Sequence, residues 1–462
     1  MEKASTIFML TSVVLASFST ILALAILYKR RYMIIKPTFL VGLLLLVRSW
    51  STVANINEVY TFLPHPWHYI CVIPLFNVIL LLISTFSVNQ TTKEVWDAAT
   101  SVQAYRYLAL KRLVPIGLLL TAVCLLIYFL YVPPWQTGLW VAIKHGDPLM
   151  SREAREGSLK LLPAIPRYVF AFNREVVTRF LAAVLAMIMV AKWNVFRKRV
   201  FVAIPLLLLL LATSASIYGA RGPGGFVIAA FILAWLLYKK MPINPIYIGA
   251  GFIFIILGPT VISAVRHGGG VSLESLWDEF STTVFNRVFN VSTQVGIWHM
   301  DFVQRYGYWG VSGISKLAPL FGVQPVIVDN LIMSEYFKQT NTGLATVNSF
   351  ITNYANFGLF VGMTLSIVTV WMLDLIMILY RRFTPVMLLP SICFFFFVAN
   401  GVISSNFETL LITRGLIPGV ILLLFLNKVV RNSEYQLEYQ LENNYDEVFY
   451  SPILMDDEHR ND

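Results

Sequence analysis

Charge is the scarcest commodity in this 462-residue chain. Only 13% of residues are charged, where a soluble domain carries about a quarter. Cysteine is nearly absent: Cys71, Cys124 and Cys393 all fall inside apolar runs. No disulfide framework and no paired-cysteine metal spacing is available. HExxH is missing, as is any glycine-rich loop ending in GK[ST], so neither a metalloprotease helix nor a P-loop is written here. Without a nucleotide motif, energy for any synthesis has to arrive in an already activated substrate. The net charge of +10 would suit a nucleic acid, but the positives cluster in short stretches between apolar runs, and no nucleic-acid partner is expected.

What remains is apolar. Hydrophobic residues make up 57% of the chain, aromatics 14%, and mean hydropathy is +0.69. A bilayer-crossing helix takes roughly 20 apolar residues. The sequence offers about eleven such runs, at 5–28, 38–57, 69–90, 113–132, 175–192, 201–219, 224–238, 246–265, 352–379, 385–403 and 409–427. The expected fold is an all-α polytopic membrane protein with about 11 transmembrane helices. The first run is followed by Lys29, Arg30 and Arg31 and reads as an uncleaved anchor.

Lys and Arg mark the cytoplasmic loops of membrane proteins. The stretches 29–36, 93–112, 192–199, 239–240, 381–382 and 428–431 are basic and alternate along the chain. With eleven spans they share one side, which puts the amino terminus outside and the carboxyl terminus inside. Two loops on the other side are long: 133–174, and 266–352 between spans 8 and 9, the latter expected to be a large extracytoplasmic helical loop. Residues 1–431 form the membrane domain. The acidic tail 432–462 reads as a short cytoplasmic helix or a disordered end.

Candidate chemistry collects on the outer side. The basic loop 133–174 suits an anionic partner such as phosphate, which arginine grips in a bidentate fashion; local pairing within SREARE is the alternative. In ATSASIYGARGPGG (212–225), Arg221 precedes a glycine-rich turn and a helix N-terminus, a natural place for an anion. In the large loop, Phe285, Val288, Val291, Val295 and Trp298 recur at helical spacing as an apolar stripe. Arg287 and Arg305 would lie about 27 Å apart along an unbroken helix and cannot share a phosphate. Arg305 has Asp301 at i,i+4 for a plain ion pair, which leaves Arg287 as the ligand-facing cation. Arg266 opens the loop. His299 and His267 are its histidines; His299 is the better candidate base, with Glu335 a second. The run TNTGLATVNSFITNYANFG (341–358) offers Asn348, Tyr354 and Asn356 as sugar-facing groups, or as an interfacial segment satisfying its own backbone. Two arginines lie deeper, Arg48 in the second span and Arg414 in the last outer turn. An intramembrane charge is a functional candidate by default; Arg48 is expected to pair inside the bundle and Arg414 to reach a lipid diphosphate. Asp374 is expected to face Arg381 or Arg382.

Four features together resemble the O-antigen polymerases, the oligosaccharide repeat-unit polymerases: ARG after a small-residue span end (220–222), a large late outer loop, TGLATVNSFITNYANFG where it re-enters the membrane (342–358), and SSNFETLLITRG (404–415). The likeness covers most of the chain as architecture and only these motifs as sequence. It implies a lipid-sugar (GT-C-type) glycosyltransferase of the bacterial cytoplasmic membrane. Such an enzyme joins undecaprenyl-diphosphate-linked repeat units by inverting transfer, without metal or other cofactor, alongside a chain-length regulator as partner. It carries the diphosphate role onto Arg221 and, within the large loop, onto Arg287. The paired Arg-x10-Gly pattern of some members does not appear cleanly. An O-antigen ligase shares the architecture, and a flippase of lipid-linked glycans is the reading from another class; a transporter would show pseudosymmetric halves, and this chain is asymmetric.

Overall fold

The computed structural model describes residues 4–145, 148–192, 197–219, 221–239, 289–314, 317–326, 328–337, 347–411 and 413–449, with a few isolated positions between 277 and 286. All regular structure in these residues is helical. The helices are α1 (Thr6–Lys29), α2 (Pro37–Ala54), α3 (Ile56–Phe62), α4 (Pro66–Ser84), α5 (Asn89–Thr100), α6 (Leu113–Phe129), α7 (Gly138–His145), α8 (Pro148–Leu161), α9 (Ala164–Phe172), α10 (Thr178–Lys192), α11 (Arg197–Ser216), α12 (Arg221–Tyr238), α13 (Ser292–Tyr306), α14 (Val328–Phe337), α15 (Ser349–Leu373), α16 (Leu375–Tyr380), α17 (Pro385–Ser404), α18 (Phe407–Leu411) and α19 (Leu416–Phe449).

Their starts are written locally. Ser5 and Asn348 cap α1 and α15 by accepting from Phe8 N and Ile351 N. Pro37 and Pro385 sit at the first position of α2 and α17, where a missing N–H costs nothing.

Among the described residues seven helices are long and apolar enough to cross a membrane: Thr6–Lys29, Pro37–Ala54, Pro66–Ser84, Ala104–Phe129, Ser349–Tyr380, Pro385–Ser404 and Phe407–Gln436. Val202–Ser216 and Pro223–Tyr238 are apolar but shorter. The expected span at 246–265 lies outside the described residues. The expected span at 175–192 is the inner part of a longer helical run, because α9 continues through a π-turn, Asn173–Val177, into α10. Arg167 and Arg174, read from the sequence as loop residues, are therefore helical, as is Glu175 at the first position of the expected span.

Burial ranks the helices. In α17, 83% of the span is buried inside the protein, against 22% for Ala104–Phe129 and 28% for α1. Helix α17 is thus central and the other two are peripheral. Beside α17 pack α10 and α12, which also pack on each other and whose buried residues include Ala182, Ala183, Ala186, Ala230 and Ala234. Small side chains let membrane helices approach closely enough for dispersion forces to hold them.

The two ends of the bundle differ. One gathers the basic segments: Arg381 pairs with Glu94 at 2.5 Å and Arg106 with Glu434 at 3.8 Å. At this end Lys36 is fully buried, with Asp374 at 3.7 Å and the Ser84 carbonyl accepting from it at 2.5 Å. Asp374 also accepts from Thr38 N and Ser87 Oγ. The expected partners of Asp374, Arg381 and Arg382, are displaced by Lys36, which arrives from the opposite end of the sequence at the start of α2. Of the two forms expected for the tail, the helical one holds up to Phe449, where it continues α19 rather than standing as a separate helix.

At the opposite end Ala4 N donates to Asn57, His65 N to Gln304, Ser349 Oγ to Ser405 O and Thr352 Oγ1 to Asn406. Here α13 lies across α2 and α15. Of the expected apolar stripe, Phe285 and Val288 lie outside the described residues, Val295 and Trp298 are half-buried, and Val291 turns outward. Val291 is 41% exposed, while Thr293, Gly296, Ile297, Met300 and Val303 are buried. The reason is size: Gly296 lets Ile351 and the Tyr69 hydroxyl come within the space a Cβ would need.

Candidate anion site at the large-loop end

The most concentrated charge in the bundle is at this second end, on the π-turn. A π-turn adds a residue to one helical turn and is common at functional sites. Here it buries Asn173, Glu175, Val176 and Val177 almost in succession. Glu175, 1% exposed, accepts from Arg174 Nε at 2.8 Å on Oε1, and Arg179 Nη2 stands 2.5 Å from Oε2 as an ion pair without hydrogen-bond alignment. From another part of the chain Arg414 reaches Oε1 at 3.6 Å. Three guanidinium groups thus share one carboxylate, which among the described residues leaves the cluster two positive charges in excess.

Aromatic rings floor the cluster. Arg174 stands 4.8 Å above the Tyr218 ring, and Arg179 stands 4.8 Å from Phe226 and 5.5 Å from Phe397. Cation–π contacts of this kind are worth most when desolvated, yet they cannot replace an anion for two surplus charges in a low-dielectric setting. Arg179 Nε, in a side chain only 4% exposed, has no hydrogen-bond acceptor among the described residues. Asn173 donates to Ser214 at 3.2 Å, and its own carbonyl oxygen has no donor among the described residues. Arg414 is a third exposed, so the cluster opens on its side.

Arg414 owes its position to Gly415. That glycine has φ +82°, which L side chains rarely adopt, and its α-carbon leaves room for Val176. The turn swings the chain from α18 into α19 and presses Arg414 against the π-turn.

Within the described residues the sequence candidates fall into four groups. Arg414 is in the cluster. Arg221 is the first residue of α12, five positions before the Phe226 that lies under Arg179, and Gly224 N donates to Ser216 Oγ across the preceding turn; nothing is described of its side chain. Arg266 and Arg287 lie outside the described residues, as does His267.

His299 and Glu335 are in the α13–α14 region, in different settings. His299 is 1% exposed on α13, with Nδ1 at 2.8 Å from the Val295 carbonyl. Glu335 is exposed and accepts from the Tyr306 hydroxyl at 3.2 Å. Asp301, buried, binds Arg305 at 2.7 Å and accepts from the Tyr336 hydroxyl at 2.5 Å, tying α13 to α14.

The polar run around α15 forms the fourth group. Asn348 is the helix cap. Tyr354 is fully buried, its hydroxyl 2.8 Å from His68 Nδ1 and accepting from Gln304 Nε2 at 3.0 Å. Asn356, 2% exposed, abuts Gly313. A left-handed residue, Gly358 at φ +77°, kinks α15 just below them and lets Tyr308 pack into the bend.

Sequence reasoning missed Glu175 and Arg179. One signal was present: the two stand at i,i+4 at the head of an apolar run, and a charge pair at that spacing has no reason to enter a membrane unless its site is used. Among the described residues no group of three or more His, Cys, Asp or Glu is close enough to hold a metal ion. Compared with known protein-family models, curated proteins and solved structures, the chain matches none.

Proposed function

We propose that this chain is a membrane glycosyltransferase that polymerises undecaprenyl-diphosphate-linked oligosaccharide repeat units into a surface polysaccharide. The observation that carries the reading is the Arg174–Glu175–Arg179–Arg414 cluster with its excess of positive charge. A diphosphate brings the missing negative charge and enough acceptor oxygens for several guanidinium groups. In the reaction the acceptor hydroxyl forms a bond to the anomeric carbon while that carbon's bond to the diphosphate breaks. The electron pair leaves on the diphosphate oxygen, and the cluster stabilises that growing charge as a fixed array of donors does. Glu175 holds the arginines apart and in place. Arg221, at the head of α12, and Arg287 and Arg266 of the large loop are the further cations assigned to the diphosphate. His299 or Glu335 takes the acceptor proton once the loop closes on substrate, and Asn348, Tyr354 and Asn356 border the sugar path. The topology that goes with this reading has eleven spans in the bacterial cytoplasmic membrane, the amino terminus outside and the basic end of the bundle in the cytoplasm. A chain-length regulator is the expected protein partner.

Purified protein given lipid-diphosphate repeat units should build a ladder of products. Arg414→Gln and Arg221→Ala should abolish the ladder and, in cells, long surface polymer, while the protein still inserts. Full-length polymer in both variants would sink the diphosphate role; lipid-linked units moved across a membrane without bond formation would replace the transferase with a flippase.

A further inference from the structure

Four cations within or at the edge of a span reach an acid: Lys36 reaches Asp374, and Arg174, Arg179 and Arg414 reach Glu175. Arg48 does not. Among the described residues it has neither an ion pair nor a hydrogen bond from its side chain, and the polar group that interacts with it electrostatically is the Tyr69 hydroxyl. Its placement excludes a simple lipid-facing position. On α2 the exposed residues are Val47, Trp50 and Ala54. Arg48 instead lines up with Val41, Leu45, Thr52 and Asn55, spaced three and four apart and all buried. That stripe faces protein, and Arg48 is half-buried within it.

The surroundings are polar but already committed. Tyr69 donates to Thr293 O at 3.5 Å, Ser51 bonds the Phe289 carbonyl and Thr293, and Asn55 donates to Phe289 O at 3.1 Å. None of these groups supplies an acceptor to Arg48. A guanidinium has five N–H donors and no way to shed its charge. In a bilayer such a group requires an anion or water. Arg48 lies seven residues before Asn55, about 10 Å along the helix. From there a long side chain reaches the phosphate layer.

We propose that Arg48 is a second phosphate site, separate from the Glu175 cluster, that holds the phosphate of a lipid in the groove where α2 meets α4 and α13. The ligand class is a lipid phosphate ester or diphosphate. Occupancy gives the half-buried guanidinium a counter-charge and seats a lipid against the start of α13. The inference stands apart from the glycosyl-transfer reading.

The test is native mass spectrometry on the purified full chain in detergent, titrated separately with dioleoylphosphatidylglycerol, undecaprenyl diphosphate and phosphate-free undecaprenol. Arg48→Gln should lose one bound phosphate lipid, with affinity about tenfold weaker, and Arg414→Gln should retain that lipid. Loss with phosphatidylglycerol identifies a glycerophospholipid as occupant, and loss with undecaprenyl diphosphate alone identifies a polyprenyl lipid; either supports the site. Unchanged stoichiometry and affinity for both phosphate lipids in Arg48→Gln would overturn it, as would equal retention of undecaprenol by the unmodified chain. Should Arg48→Gln not fold, Arg48→Met decides: it keeps a long side chain in an apolar setting and removes the charge, so undiminished binding of both phosphate lipids overturns the site. Failure of the ladder reaction with this lipid still bound would remove the transferase and leave the site.

Discussion

Glu175 is the hinge of the anion site, and its removal and the removal of Arg414 should behave differently. Glu175→Ala leaves Arg174 and Arg179 enclosed without a counter-charge, and breaking a buried pair from one side costs about 3–5 kcal/mol. The thermal midpoint in detergent should fall accordingly. Arg414→Gln removes the most exposed member, at 3.6 Å and a third in solvent, so stability should change by within about 1 kcal/mol while diphosphate binding is lost. A second residue-scale prediction concerns Tyr336. Its partial burial, with the Asp301 carboxylate beside it, raises the hydroxyl's pKa well above the ordinary tyrosine value. The neutral form is thus the folded form. The stability it contributes is complete below about pH 10, the unfolded value, and is lost as pH rises from there towards the folded value. Subtracting the alkaline ultraviolet titration of Tyr336→Phe from that of the unmodified chain should show a phenol that stays protonated past pH 10. At this scale the sequence was partly legible. Arg414 stood out as a charge in an apolar setting. Glu175 did not, because it sits at a span's edge, where mixed charges look like ordinary loop. His299 was visible as a loop histidine, but its burial depends on the face α13 turns inward, which the small residues Thr293 and Gly296 decide.

Among elements, the turn between α18 and α19 carries a sharp test. Gly415→Ala forces a side chain into a left-handed conformation at about 1–2 kcal/mol and into the space of Val176. Stability should drop by at least that amount, and Arg414 should lose its contact with Glu175, so the variant should bind diphosphate as poorly as Arg414→Gln. The spans themselves were readable from runs of apolar residues. What was not readable was continuity. Helix α9 runs through the π-turn into α10 although its sequence carries Arg167, Arg174 and Glu175, because buried partners, not composition, satisfy those charges. Likewise α19 continues past the span into YQLEYQLE, where Arg106 and Glu434 hold it against the segment before α6. Helical periodicity in a polar tail was visible; the docking surface that stabilises it was not, since it comes from more than three hundred residues earlier.

For the molecule as a whole, the two ends are chemically opposed, one basic and closed by Lys36–Asp374, the other open at Arg414. The proposed topology predicts that alkaline phosphatase fused after Gly157 is active and that fused after Lys111 is inactive; the reverse pattern would turn the bundle over and move the anion site to the cytoplasm. The length of α19 has a mechanical consequence. Its 34 residues make a rod of about 51 Å, and a bilayer's hydrocarbon layer occupies about 30 Å. The remaining ~20 Å stands beyond the hydrocarbon layer as a fixed spar, clamped at its base by Arg106 and Arg112. The end near Phe449 is therefore held at a set height and bearing from the membrane, and the helix that carries it begins one residue after the glycine that aims Arg414.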